Sequence, residues 1–140
     1  GQVGRRPIRL FMVEDDEIDV RCMRRGLKRA GSRLPLRVAR DGDEALAALR
    51  REEDPGGTVV VLDLQMPRMN GLEFLAALRS DQRLRGTPVF VLTTSDAPED
   101  LERAYEHQVA GYVMKRDAGD DFEQMVTLLD RFCAVVALPD

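Results

Sequence analysis

The stretch Thr58-Val59-Val60-Val61-Leu62-Asp63 decides the fold. Its first five residues are β-branched or apolar throughout, with no polar alternation. A strand with one wet face would alternate, so this one is expected to be buried on both faces, as in the middle of a parallel sheet. Asp63 then puts a carboxylate at the strand's end. It is followed by Met66-Pro67 rather than by a Gly/Asn-rich turn.

Working outward, apolar runs alternate with helical patterns along the chain. Strands are expected over 8–13, 34–39 (weakened by Pro35), 89–92 and 110–114, and helices over 16–30, 44–51, 72–79, 98–108 and 121–136. In the first helix Val20, Met23, Leu27 and Ala30 share one face. Pro55-Gly56-Gly57 reads as a turn. Four helix starts carry a capping-box pattern, Asp41-x-x-Glu44, Asn70-x-x-Glu73, Asp96-x-x-Glu99 and Asp120-x-x-Glu123. Strands joined by helices must be parallel, and right-handed crossovers place helices on both faces. The expected class is therefore α/β, a five-stranded doubly wound parallel sheet of (β/α)5 type. The expected organisation is a flexible N-terminus at 1–7, one domain over 8–136 and a C-terminal tail at 137–140.

Bulk properties agree. The 140 residues suit one domain, 44% are hydrophobic, and 33% are charged. The net charge of −4 argues against nucleic acid as a partner. No apolar run approaches the ~18 residues of a membrane span. The run over 8–13 is too short for a signal peptide, so a cytoplasmic protein with no membrane partner is expected. Cys22 and Cys133 lack metal-site spacing and read as small buried hydrophobes. His107 is the only histidine and reads as an ordinary helix residue.

Open parallel sheets bind ligands at the carboxyl ends of their strands. Glu14, Asp15 and Asp16 end the first strand, Asp63 the third, Thr93, Thr94 and Ser95 the fourth, and Lys115 the fifth. Clustered carboxylates repel and call for a cation, most naturally Mg²⁺. A lysine and a hydroxyl beside them suit a phosphoryl group, whose transfer depends on positioning and charge neutralisation. Asp63 is the candidate acceptor, since carboxylates form aspartyl-phosphates. Asp16 reads as a helix cap.

These residues resemble a known family. Val13-Glu14-Asp15-Asp16, the segment Val61-Leu62-Asp63-Leu64-Gln65-Met66-Pro67-Arg68-Met69-Asn70-Gly71, Leu92-Thr93-Thr94 and Gly111-Tyr112-Val113-Met114-Lys115 resemble the receiver domain of two-component response regulators, the CheY-like, flavodoxin-like fold. The resemblance covers about residues 8 to 132. Leu92-Thr93-Thr94-Ser95 and the stand-alone format look most similar to the small regulators that accompany bacterial phytochromes. The resemblance implies a non-enzymatic phosphoacceptor. Asp63 would take a phosphoryl group from a sensor histidine kinase. Glu14, Asp15, Asp63 and the Gln65 carbonyl would hold Mg²⁺. Thr93 and Lys115 would contact the phosphoryl oxygens, Thr93 and Tyr112 would form the switch, and Gln65 and Ser95 would tune dephosphorylation. It also implies a homodimer through the last helix and strand. There Leu128, Phe132 and Val135 widen the apolar stripe of Phe122, Met125, Val126, Leu129, Cys133 and Val136. The basic run Arg21, Arg24, Arg25, Lys28 and Arg29 on the first helix would bear on kinase choice.

One place departs from the family pattern. Most receivers follow the lysine with a cis proline, whereas Lys115 precedes Arg116. A cis bond there costs about 2.5–4 kcal/mol. Either the peptide is trans and the loop over 116–119 is rerouted, or the surroundings hold a cis bond. The expectation is a rerouted loop with Lys115 still reaching the site. Two rival functions remain. An aspartate-nucleophile phosphatase would want a second aspartate where Gln65 stands. A degenerate receiver would act as an adaptor without phosphorylation.

Overall fold

The computed structural model describes residues 7–138. The expected flexible N-terminus lies outside them except for Pro7. Five strands, β1 (Arg9–Val13), β2 (Leu36–Ala39), β3 (Thr58–Leu62), β4 (Val89–Thr93) and β5 (Gly111–Met114), form one sheet. Its order is β2-β1-β3-β4-β5 and every pairing is parallel. All five residues of β3 and all five of β4 are buried, as continuous apolar strands require. The helices are α1 (Glu17–Arg29), α2 (Gly42–Arg51), α3 (Gly71–Ser80), α4 (Pro98–Glu106) and α5 (Glu123–Val135).

Alternate strand residues feed two cores. Phe11, Val13, Val60, Leu62, Val89 and Val91 pack with α2, α3 and α4 through Leu46, Leu49, Phe74, Leu75, Leu78 and Ala104. Leu10, Met12, Val59, Val61, Phe90 and Leu92 pack with α1 and α5 through Met23, Leu27, Met125, Val126 and Leu129. Cys22 and Cys133 are only half-buried at the edge of this second core, short of the full burial expected of them. Of the expected tail, residues 139–140 lie outside the described residues, while Leu138 is buried in the second core.

The four capping patterns behave differently. Asn70 and Glu73 close a full capping box. Asp41 accepts from Glu44 N, but the Glu44 carboxylate turns to Arg40 N instead of completing the box. The expected cap at Asp96 is displaced, because Pro98 opens α4 and Ala97, with no side-chain cap, occupies the boundary. The expected helix start near Asp120 is also corrected. Asp121 and Phe122 take left-handed backbone at φ 50° and 55°, and α5 begins at Glu123. Arg25 and Arg29 of α1 grip the Asp121 carboxylate at 3.1 and 2.9 Å.

At the amino edge of the sheet, Arg79 of α3 acts as a staple. Its guanidinium donates to the carbonyls of His107, Arg85, Thr87 and Gln108 at 2.7, 2.8, 2.7 and 3.2 Å. These carbonyls precede β4 and β5. Sequence reading gave Arg79 no such part.

Candidate functional site

The carboxyl edge gathers the predicted set. Pairing of β1 with β3 sets Val13 beside Leu62, and Asp63 N donates to Val13 O at 3.0 Å. This register brings the ends carrying Glu14 and Asp63 together. The turn after Asp63 is held tightly. Gly71 N donates to Leu64 O at 3.0 Å, and a Cβ on Gly71 would stand 2.6 Å from Asp63 O, so only glycine fits. Arg68, at φ 59°, pairs with the buried Asp41 and ties the turn to the start of α2.

Asp63 is 6% exposed. Its Oδ1 accepts from Thr93 Oγ1 at 2.8 Å and Gln65 N at 3.2 Å. Its Oδ2 faces Lys115 Nζ at 3.3 Å. Glu14 is buried beside it, while Asp15 is exposed at the rim. Burial pushes the Glu14 carboxyl up to about 8, against the pull of Lys115, and the charge of Asp63 adds to the rise. Glu14 Oε1 lies 2.7 Å from Lys115 Nζ, a charge contact off the direction of a hydrogen bond, and has no hydrogen-bond partner. For Lys115, burial disfavours the charged form, but Asp19, Glu14 and Asp63 outweigh it and raise the ammonium above the ordinary lysine value.

Among the described residues no peptide bond is cis, so the Lys115–Arg116 peptide is trans. The chain enters a 3-10 turn over Lys115–Asp117, and Lys115 still reaches Asp63, as expected of a rerouted loop. Arg116 instead lies near Asp96, at 3.7 Å. Sequence reading missed Asp19, which accepts from Lys115 Nζ at 2.6 Å, the shortest of the lysine's contacts. It lies in the first turn of α1, just past the strand end that carries Glu14 and Asp15, and local sequence alone does not bring it to Lys115.

Around this centre, Thr94 Oγ1 donates to Gln65 Oε1 at 2.9 Å and Ser95 Oγ to Asp100 Oδ2 at 2.5 Å. Tyr112 is half-buried and its hydroxyl donates to Ser95 O at 2.9 Å; burial pushes the phenol up, so it stays protonated as a donor. Of the expected dimer face, Leu128 and Val135 are exposed, while Phe132 packs edge-on against Phe90 with ring centroids 5.0 Å apart. His107 caps the end of α4.

The donor set fits a hard divalent cation. Carboxylate oxygens of Glu14, Asp15 and Asp63 lie within 4.8 Å of one another, and Glu14 Oε1 is a buried acceptor with no hydrogen bond, met only by the charge of Lys115.

A five-stranded parallel sheet with this acidic cluster, a hydroxyl and a lysine at one edge is the arrangement of a receiver domain. The chain belongs to the response regulator receiver domain family, whose model matches residues 10–127, and so to two-component signalling. It is 36% identical over 123 residues to the probable methanogenesis regulatory protein FilR2 of Methanothrix harundinacea, covering 86% of this chain and 79% of that protein. It is 33% identical to response regulator Rcp1 of Synechocystis sp., covering 93% and 92%. The crystal structure of the phosphorylated cyanobacterial phytochrome response regulator RcpA superposes with a TM-score of 0.81 at 30% identity, over 96% of this chain and all of that one. The Mn²⁺-bound form of Rcp1 gives a TM-score of 0.80 at 32% identity, with the same coverage. The expected likeness to phytochrome-associated regulators is thus borne out.

Proposed function

We propose that this receiver domain, over residues 8–136, accepts a phosphoryl group on Asp63 from a phosphohistidine of a sensor kinase of the phytochrome type. The observation that carries the reading is the convergence on Asp63 of Thr93 Oγ1, Lys115 Nζ and the carboxylates of Glu14 and Asp15. In the transfer the phosphorus–nitrogen bond breaks as an Asp63 oxygen bonds to phosphorus, and histidine leaves with its electron pair. Mg²⁺ held by Glu14, Asp15, Asp63 and the Gln65 carbonyl would neutralise charge on the transferred group. Lys115 supplies a second positive charge, and Thr93 a neutral donor.

Thr93 is bonded to Asp63 and also accepts from Ser95 N at 3.3 Å. Drawing its hydroxyl to a phosphoryl oxygen moves the turn that Tyr112 holds through Ser95 O. That local event biases a two-state surface. Gln65 and Ser95 flank the approach of water and set the lifetime of the phosphorylated state. The protein works in the cytoplasm, without membrane or nucleic acid as partner. It dimerises through the last helix and strand, where Leu128 and Val135 are exposed.

The test is incubation with Mg²⁺ and phosphoramidate followed by intact-mass measurement. The wild type gains one hydroxylamine-labile phosphoryl group and Asp63→Asn gains none. A wild type that gains none supports a phosphorylation-independent adaptor, and rapid turnover of phosphomonoesters supports a phosphatase; either overturns the reading.

A further inference from the structure

Asp19 is a fourth carboxylate at the site and stands outside the Glu14, Asp15 and Asp63 set. It sits on the first turns of α1, where Asp16 caps the helix by accepting from Ile18 N and Asp19 N. Among the described residues, the side-chain hydrogen bond and ion pair of Asp19 both go to Lys115. The ammonium has three protons and three carboxylates around it, at 2.6 Å (Asp19), 2.7 Å (Glu14) and 3.3 Å (Asp63). The shortest of these contacts therefore goes to the one carboxylate that has no part in holding a cation or a phosphoryl group.

The backbone does not aim this lysine firmly. β5 ends at Met114, and Lys115 opens a three-residue 3-10 turn with no side-chain cap. Four rotatable side-chain bonds separate that turn from Nζ. An unanchored lysine would spread over Glu14, Asp63 and solvent, losing rotamer freedom again each time it engaged. It would also compete with a divalent ion for Glu14 and Asp63.

We propose that Asp19 is the positioning residue for Lys115: it holds the ammonium on the α1 side of the site. One proton then points at Asp63, or at the phosphoryl oxygen that arrives there, and the pull of Asp19 limits the lysine's competition with the cation for Glu14, which it also touches at 2.7 Å. Asp19 touches neither the acceptor nor the incoming group; it acts through the lysine. This rests on Asp63 being the phosphoacceptor.

The experiment compares the full chain with its Asp19→Asn, Asp19→Ala and Asp19→Glu variants in three measurements. The first is the rate of phosphorylation by phosphoramidate across donor and Mg²⁺ concentrations. The second is the ¹⁵N NMR signal of the Lys115 ammonium, assigned by its loss in Lys115→Arg. The third is the melting temperature. In the wild type the ammonium protons are expected to be protected and the resonance visible. Asp19→Asn and Asp19→Ala are expected to lose it, to lower the rate at saturating donor about tenfold, and to weaken the apparent Mg²⁺ affinity several-fold. Asp19→Glu is expected to restore part of the signal and of the rate. The order among variants should not follow melting temperature, which separates positioning from a general loss of structure. Wild-type rate and Mg²⁺ dependence in Asp19→Asn would overturn the inference while leaving Asp63 as acceptor, as would rates that simply track melting temperature. A wild type that takes no phosphoryl group at all would overturn the underlying reading and the inference with it.

Discussion

At the scale of single residues, the buried Glu14 makes stability depend on pH in an unusual direction. Its carboxyl is pushed up to about 8 from an ordinary 4.5, first by burial. Between those values the folded state binds the proton more tightly than the unfolded chain, so stability falls as pH rises. Lys115, raised by its carboxylates, contributes across that whole window and is lost only in strong alkali. Asp41 runs the other way. The Glu44 amide, then Arg68, lowers its carboxyl, so its contribution is present above the ordinary carboxylate range and is lost as acid protonates it. In EDTA, the melting temperature is expected to fall steadily from about pH 5 to about pH 8. Glu14→Gln should flatten that slope, and Mg²⁺ should reverse it by taking the proton's place. Differential scanning calorimetry across the range checks all three.

Among elements, the strands were the easiest part to read, because four consecutive apolar residues after the β-branched Thr58 in β3 call for a strand buried on both faces. Helix starts were harder. A capping pattern reports only which side chains could cap, and at Asp96 a proline one residue past the boundary decided the matter instead. The start of α5 depended on a tertiary contact invisible in the local sequence, the grip of Arg25 and Arg29 on Asp121. The site shows the same division. Glu14, Asp15, Asp63, Thr93 and Lys115 follow from strand ends alone, whereas Asp19 belongs to the site through the fold of a helix against a loop. That α1 contact is close. A Cβ on Gly26 would lie 2.1 Å from the Asp121 carbonyl oxygen, a backbone atom that cannot swing aside. Gly26→Ala is therefore expected to destabilise the domain by roughly 1–3 kcal/mol, read from urea unfolding, despite the better helix propensity of alanine.

For the whole molecule, Leu128 and Val135 on α5 and Leu101 and Tyr105 on α4 leave apolar surface uncovered. Burying such a patch in a second copy is the proposed dimer. Multi-angle light scattering is expected to show twice the chain mass at high concentration. Leu128→Lys with Val135→Lys should return the monomer, and a wild type of monomer mass at every concentration, phosphorylated or not, would rule the dimer out. The staple at Arg79 bears on how such a surface could respond. It clamps the backbone just before β4 and β5 to α3, and Ala110 N further joins Val89 O at 2.8 Å. Toward the opposite ends of the same two strands, hydroxyls hold the turn: Tyr112 donates to Ser95 O, and Thr93 accepts from Ser95 N while donating to Asp63. With the two strands held at that end, a displacement near Thr94 is expected to pass sideways into α4 rather than down through the sheet. Amide exchange is expected to be slow at Val60 and Ala110, which donate to Pro88 O and Val89 O, and faster at Thr94 and Ser95, and Arg79→Ala should erase the contrast. An arginine far from the chemistry would then decide which way a signal leaves it.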